Sequence, residues 1–157
     1  MAATIRDAKP DEAEALSALA LRSKAHWGYA EDFIAACVDE LTLTRRDIEE
    51  QIVRVCDQGD RPAGYYHLVI ADVIAEVEHL FVPPEAIGGG LGRALWADLM
   101  ARAEAVDARE IRVTSDPHAE GFYRAMGCRS IGAEPSASLP GRRLPRLALA
   151  LRAPANA

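Results

Sequence analysis

The run Leu80-Phe81-Val82-Pro83-Pro84-Glu85-Ala86-Ile87-Gly88-Gly89-Gly90-Leu91-Gly92-Arg93-Ala94-Leu95 holds a strand end, a proline stop and a glycine turn into a helix. Pro83-Pro84 cannot continue a ladder, so the strand ends there. Gly88, Gly89, Gly90 and Gly92 put four glycines into five positions. At glycine's ordinary frequency, ~0.02 such runs are expected by chance in a chain of this length. Leu91, Leu95 and Leu99 then recur every four residues, with Trp96, Met100 and Ala103 on the adjoining row, which predicts an amphipathic helix. Glycines let backbone N–H groups converge on an anion, and the helix dipole adds positive potential at the first turn. A flexible loop with a helix cap is the plainer use of the same residues.

Working outward, the strand that feeds this turn, residues 73–82, reads in two phases. Val73, Ala75 and Val77 alternate with Ile74, Glu76 and Glu78, and His79-Leu80-Phe81-Val82 then breaks the alternation, which predicts a β-bulge. Further strands are expected over residues 4–6, 52–56, 63–70, 110–114, 129–132 and 146–151. Pro10 opens a helix whose apolar face is Ala13, Leu16, Leu19 and Ala20, and helices follow over residues 30–40 and 45–50. Asp116-Pro117 is an N-cap followed by a proline at the first helical position, and Gly127 closes that helix. Residues 134–141 form a loop by composition. Strand, helices, three strands, helix, strand, helix and two strands make an α/β (α+β) sheet with helices on both faces.

The 157 residues fit a single domain, residues 1–157. Half are hydrophobic and 27% charged, which excludes a disordered chain. Lys plus Arg is 18 against 24 Asp plus Glu, a net charge of −6, and no basic cluster offers a nucleic-acid face. No apolar run reaches the ~18 residues of a membrane span, and the stretch from Met1 to Asp7 lacks a basic segment followed by an apolar one, so a soluble, cytoplasmic protein is expected. Cys37, Cys56 and Cys128 are an odd count without a C-x-x-C pair, which points to reduced thiols and to no zinc site.

The segment from Leu80 to Leu95 resembles the acetyl-coenzyme A motif of the GNAT acetyltransferase superfamily: Val-x-Pro, a short turn, Arg/Gln-x-x-Gly-x-Gly/Ala, then a helix. Ser115-Asp116-Pro117-His118-Ala119-Glu120-Gly121-Phe122-Tyr123-Arg124-Ala125-Met126-Gly127 resembles the family's second landmark, an Ala-x-x-Phe-Tyr-x-x-x-Gly helix. The resemblance implies a mixed, mostly antiparallel sheet of six to seven strands and acetyl transfer to an amine without a metal. It implies that Ile87, Gly88, Gly89, Gly90, Leu91, Gly92 and Arg93 receive the diphosphate of the coenzyme. Leu80, Phe81 and Val82 would pair their backbone with its pantetheine arm, and His118 would touch that arm. Ile87 departs from the family's Arg or Gln and forgoes a side-chain contact. Relatives often pair through late strands, so a homodimer is implied as possible.

Chemistry selects the remaining candidates. A lysine-like amine titrates near 10.4, so freeing it at pH 7 costs roughly 4.6 kcal/mol and a nearby base helps. Glu76 and Glu78, two apart on one strand, share a face and match positions where the family commonly places that base; they are otherwise solvated carboxylates. His79 would point to the opposite face. The Tyr123 phenol can hydrogen-bond a departing thiolate, or simply pack beside Met126. His26, Trp27 and Tyr29 lie between the first two helices, where the family builds its acceptor pocket; they either bind an amine or pin the helices together. The acceptor would be a small-molecule or peptide amine. A non-catalytic coenzyme A-binding module is the alternative from another functional class.

Overall fold

The computed structural model describes residues 4–151. The first three residues of the amino-terminal stretch read above for a leader lie outside it. Seven strands form one sheet: β1 (Thr4–Asp7), β2 (Ile52–Gln58), β3 (Arg61–Ala71), β4 (Ile74–Phe81), β5 (Glu110–Thr114), β6 (Arg129–Pro135) and β7 (Arg143–Ala150), in the order β1-β2-β3-β4-β5-β7-β6. Only β4 and β5 run parallel. A parallel neighbour needs a crossover, supplied here by α5 (Leu91–Ala105).

Strand alternation sorts the core onto two faces. Val53, Val55 and Tyr65 pack against α1 (Ala13–Ala25), together with Cys37, Leu41, Leu43 and Ile48. These last come from α2 (Glu31–Ala36), α3 (Val38–Leu41), α4 (Arg45–Glu50) and their connections. Cys56, Tyr66, Leu68, Ala75, Val77, Ile111, Val113 and Leu147 face the other way, against Leu95, Trp96 and Leu99 of α5 and Tyr123 of α6 (Glu120–Ala125). The four-residue leucine spacing thus marks the buried stripe of α5.

The structure departs from the sequence reading in several places. The helix expected over residues 30–40 breaks at Cys37, whose N–H reaches both Phe33 and Ile34 carbonyls and tightens the turn, so that the second piece brings Leu41 into the core. The helix opening at Asp116 starts as a 3₁₀ turn, Pro117–Ala119, before becoming α6. The last loop is shorter than composition suggests, because Glu134 and Pro135 still pair with Leu144 and Arg143. Pro135 is tolerated there because β6 is an edge strand.

The predicted bulge is present. His67 pairs with His79 but Leu68 pairs with Val77, leaving Glu78 as the extra residue of β4. That insertion also corrects the face expected for His79. One added residue returns it to the α1 side, where it packs against Tyr65 and Phe81.

Beside the bulge, Gly64 of β3 lets three groups close in. A Cβ there would stand 3.0 Å from Leu95 Cδ1, 3.1 Å from the Phe81 carbonyl oxygen and 3.2 Å from Val82 Cγ1. Gly64→Val is expected to destabilise the protein by about 1–3 kcal/mol through overpacking, seen as a lowered melting temperature against the unaltered chain.

Candidate active site

The β4–β5 ladder covers only Ile74–Val77 against Glu110–Val113, yet β4 runs on to Phe81. Beyond Val113 the chain turns toward β7, the Ser115 N–H donating to the Pro145 carbonyl at 2.9 Å. The end of β4 therefore keeps its β3 partners and loses those on the β5 side. Two cavities occupy the parting. One, about 300 Å³, is walled by residues 76–81 of β4, Val113 to Asp116, and Glu134, Pro135, Ala137 and Leu144. The other, about 380 Å³, lies between the end of β4, the glycine turn and α6. They share Lys24, Leu80, Phe81, Asp116, Ala119 and Tyr123.

The glycine turn builds the second cavity from backbone. Gly90 is the N-cap of α5 at φ 89°, a left-handed conformation that favours glycine, and no side chain caps the helix. The first-turn N–H groups of this 15-residue helix thus lack an intrahelical or capping partner. Ile87, Gly88, Gly90, Gly92 and Arg93 line the cavity, with Leu80, Phe81 and Val82 opposite. A Cβ on Gly92 would come within 3.2 Å of the Phe122 ring, so the helix start sits close against α6. Leu91 is turned into the core, and Gly89 is tied to the Ala86 carbonyl. An anion at the helix start and an amide-bearing chain along the unpaired edge of β4 both fit this arrangement.

Tyr123 is 6% exposed and forms a wall of both cavities. Burial pushes its phenol well above the ordinary value, so it stays protonated and able to donate.

The two glutamates separate. Glu76 receives a two-point hydrogen bond from Arg146, at 2.6 and 2.9 Å. Glu78, lifted out of register by the bulge, has no such partner among the described residues; desolvation and then the charge of Glu76 push its carboxyl up. His79 is buried, its Nε2 donating to the Glu40 carbonyl and its Nδ1 accepting from the Tyr65 hydroxyl, both at 2.8 Å. Burial lowers its pKa, which keeps this tautomer neutral.

Asp116 joins the segments around the cavities. Its carboxylate accepts from Lys24 Nζ at 2.7 Å, from the Tyr29 hydroxyl at 2.9 Å and from the His118 N–H at 2.8 Å. Burial alone would raise it, but these hydrogen bonds, that of Lys24 first, hold it down at about 2. Tyr29 also accepts from Arg142 at 2.8 Å. His118 stacks on Trp27 at 4.9 Å and 9°, and both line the glycine-turn cavity. His26 packs edge-on to Trp27. The aromatic stretch is thus tied to Asp116 and, through Trp27, to the glycine-turn cavity, and neither His26 nor Tyr29 lines the cavity that holds Glu78.

Lys24, Arg142 and Arg146 escaped the sequence reading. Lys24 and Asp116 lie 92 positions apart, Glu76 and Arg146 70 apart. Asp116 carried a legible signal as an N-cap, which it is, but nothing local announces its second role.

Residues 7–138 match the acetyltransferase (GNAT) domain family. The chain belongs to the GNAT acetyltransferases. Among solved structures it is similar in fold to the PaiA N-acetyltransferase of Thermoplasma acidophilum in complex with coenzyme A. That likeness has 17% identity, covers 96% of this chain and 100% of the other, and has a TM-score of 0.80. A ribosomal-protein alanine N-acetyltransferase from Escherichia coli is 18% identical over 99% of each chain, with a TM-score of 0.73. The phosphinothricin acetyltransferase of Sinorhizobium meliloti in complex with acetyl-coenzyme A is 19% identical, covering 96% of this chain and 89% of that one, with a TM-score of 0.69. No curated protein matches the sequence. No helix among the described residues is long and apolar enough to cross a membrane, and no group of three or more His, Cys, Asp or Glu among them is placed to hold a metal.

The glycine turn of this GNAT domain yields one prediction. At Gly90 a Cβ meets nothing within 4 Å, so Gly90→Asp costs backbone strain rather than a clash. Its carboxylate would occupy the place of an anion. Calorimetric titration with coenzyme A should show at least about tenfold weaker binding by a folded variant, and unchanged affinity would overturn the cradle.

Asp116 yields another. A carboxyl held down to about 2 adds stability above its unfolded pKa near 4 and loses it as pH falls through 2. Asp116→Asn should be less stable than the unaltered protein by about 2 kcal/mol at pH 7, a gap that closes between about pH 4 and pH 2 in denaturant titrations.

Proposed function

We propose that this GNAT protein is an acetyl-coenzyme A-dependent N-acetyltransferase that moves an acetyl group to a primary amine by direct attack. The observation that carries the reading is the meeting of the two cavities at Tyr123. One has the uncapped helix start that would suit a phosphorylated chain, and the other has Glu78 and room that would suit an acceptor. Acetyl-coenzyme A would supply the thioester. The helix start at Leu91 to Arg93, with Gly88 and Gly90, would hold its diphosphate, and the unpaired edge of residues 78–81 would align its arm.

Glu78 is favoured as the base over Glu76. A carboxylate gripped at two points by Arg146 is stabilised as the anion and is a poor proton acceptor. Glu78 is raised and carries no such clamp, which suits it to take the ammonium proton directly or through a water. Tyr123 would donate to sulfur as the thioester becomes a thiolate. Full proton transfer from phenol to thiolate is uphill, more so for a buried phenol, so stabilisation by a hydrogen bond is its role. His118 and Trp27, stacked at the mouth of the coenzyme side, would border the arm. A cytoplasmic setting is supported by three cysteines that are buried and free.

Two substitutions test this. Tyr123→Phe should lower turnover about 10²–10³-fold with little change in coenzyme affinity or melting temperature, since the ring and its packing against Phe122 and Trp96 stay. Equal turnover would leave Tyr123 a packing residue. Glu78→Gln should cost about 10²–10⁴-fold in kcat/KM near neutral pH and regain much of it at high pH, where the amine is already neutral. Glu76→Gln, which mainly unpairs Arg146, should show no such pH-dependent recovery. Both are read as free-thiol release with an accepted amine.

A further inference from the structure

The cavity beside Tyr123 is lined by the carboxylates of Glu40, Glu76, Glu78, Asp116 and Glu134 and by the cation Lys24. Asp116 is neutralised by Lys24 at 2.7 Å and Glu76 by Arg146 at 2.6 Å. Glu134 stands 3.8 Å from Arg146 and accepts from the Thr114 hydroxyl. Glu40 and Glu78 have no cationic partner among the described residues. These two, with His79, also wall an adjoining cleft of about 340 Å³ that adds Thr42, Asp47, Gln51 and His67. The two histidines bring no positive charge at neutral pH: burial, and then His79, lower His67 to about 4, and burial lowers His79. From Tyr123 outward, the surface thus presents Glu78, Glu40 and Asp47 with no ion-pair partner among the described residues; Arg146 reaches Glu78 only through its field, and Asp47 accepts the Thr44 N–H in the cap of α4.

Given the acetyl-transfer reading, on which this step rests, we infer that the acceptor is a small linear amine with a second ammonium group. The reacting nitrogen sits between Tyr123 and Glu78, and the distal ammonium lies by Glu40 and Asp47. Two carboxylates that no cation pairs among the described residues, Glu40 and Asp47, the latter holding only the Thr44 N–H, favour a cation in this cleft and repel an anion. The two adjoining spaces fall in the range of small-molecule sites. The transfer balances as an ordinary acyl exchange. The C–N bond forms and the C–S bond breaks. One ammonium proton leaves through Glu78 to solvent, one amine proton ends on the thiol, and the distal ammonium is unchanged.

The test compares three acceptors of equal length by free-thiol release: a five-carbon α,ω-diamine, pentylamine, and the five-carbon ω-amino acid. The diamine should exceed pentylamine by about tenfold or more in kcat/KM, with the amino acid slowest. The excess should lie in KM and shrink as salt screens the cleft. Glu40→Gln should raise KM for the diamine, leave kcat near its original value and leave pentylamine unaffected. The Glu40 backbone carbonyl that holds His79 survives this change. Pentylamine used as well as the diamine would overturn the acceptor class while leaving acetyl transfer intact. A lysine peptide turned over faster than the diamine would overturn the small-molecule assignment. No thiol release with any amine would overturn the acetyl-transfer reading and this inference with it. If Glu40→Gln folds poorly, the salt series on the unaltered protein decides: a diamine preference indifferent to salt overturns the proposal.

Discussion

The site depends on the parting of β4 from β5 after Val77 and Val113. A strand that leaves its neighbour exposes backbone donors and acceptors, which must be met by water or a ligand. The fold bears this because the other side of β4 stays paired and the bulge is pinned. His79 links the Tyr65 hydroxyl to the Glu40 carbonyl, tying the strand end to β3 and to α3 at once. On the opposite face, Gly64 lets Leu95 and Val82 close over the same strand end. The opening is therefore held by packing on three sides, while the edge of β4 beyond Val77 has no ladder partner in β5.

Asp116 performs a comparable task for side chains. It closes the N-terminal turn before α6 through the His118 N–H and uses its remaining capacity on Lys24 and Tyr29. Tyr29 in turn receives Arg142 from the last hairpin. One carboxylate thus joins the end of α1, the start of α6 and the β6–β7 connection, three segments that border the two cavities. Lys24 is buried, and without Asp116 its ammonium would be a buried charge lacking a partner, which ties the geometry of the two cavities together.

How legible each part was follows from how it is made. The glycine turn and the helix that follows it are built from backbone geometry in one continuous stretch, so glycines, prolines and leucine spacing between residues 80 and 103 announce them directly. The bulge was legible too, because an extra residue breaks a period of two. Its consequence for His79 was not, since the face of every later residue depends on where in the strand the insertion falls. Cys37 shows the reverse limit: residues 30–40 keep a helical composition throughout, and a local tightening of hydrogen bonds that composition does not encode divides them. The equivalence of Glu76 and Glu78 was a matter of spacing alone. Arg146, brought alongside by pairing of β5 with β7, is what distinguishes them.

The same division bears on how such a site can change. Backbone N–H groups at a helix start give the same donors whatever side chains surround them, so the glycine turn needs little beyond Gly90 and the close contact at Gly92. The cavity that holds Glu78 is walled by side chains on the α2–α3 segment, the β4 bulge and the β6–β7 hairpin. Each can be replaced without disturbing either core, because Glu40, Glu78 and Glu134 contribute charge to the cavity rather than apolar packing to the interior. On the proposed reading, a change of acceptor would ask only for a different set of charges around a fixed phenol and a fixed strand opening. Tyr123 is held more tightly: it belongs to the core cluster and also walls both cavities, so a change there would be felt by the packing and by both spaces at once.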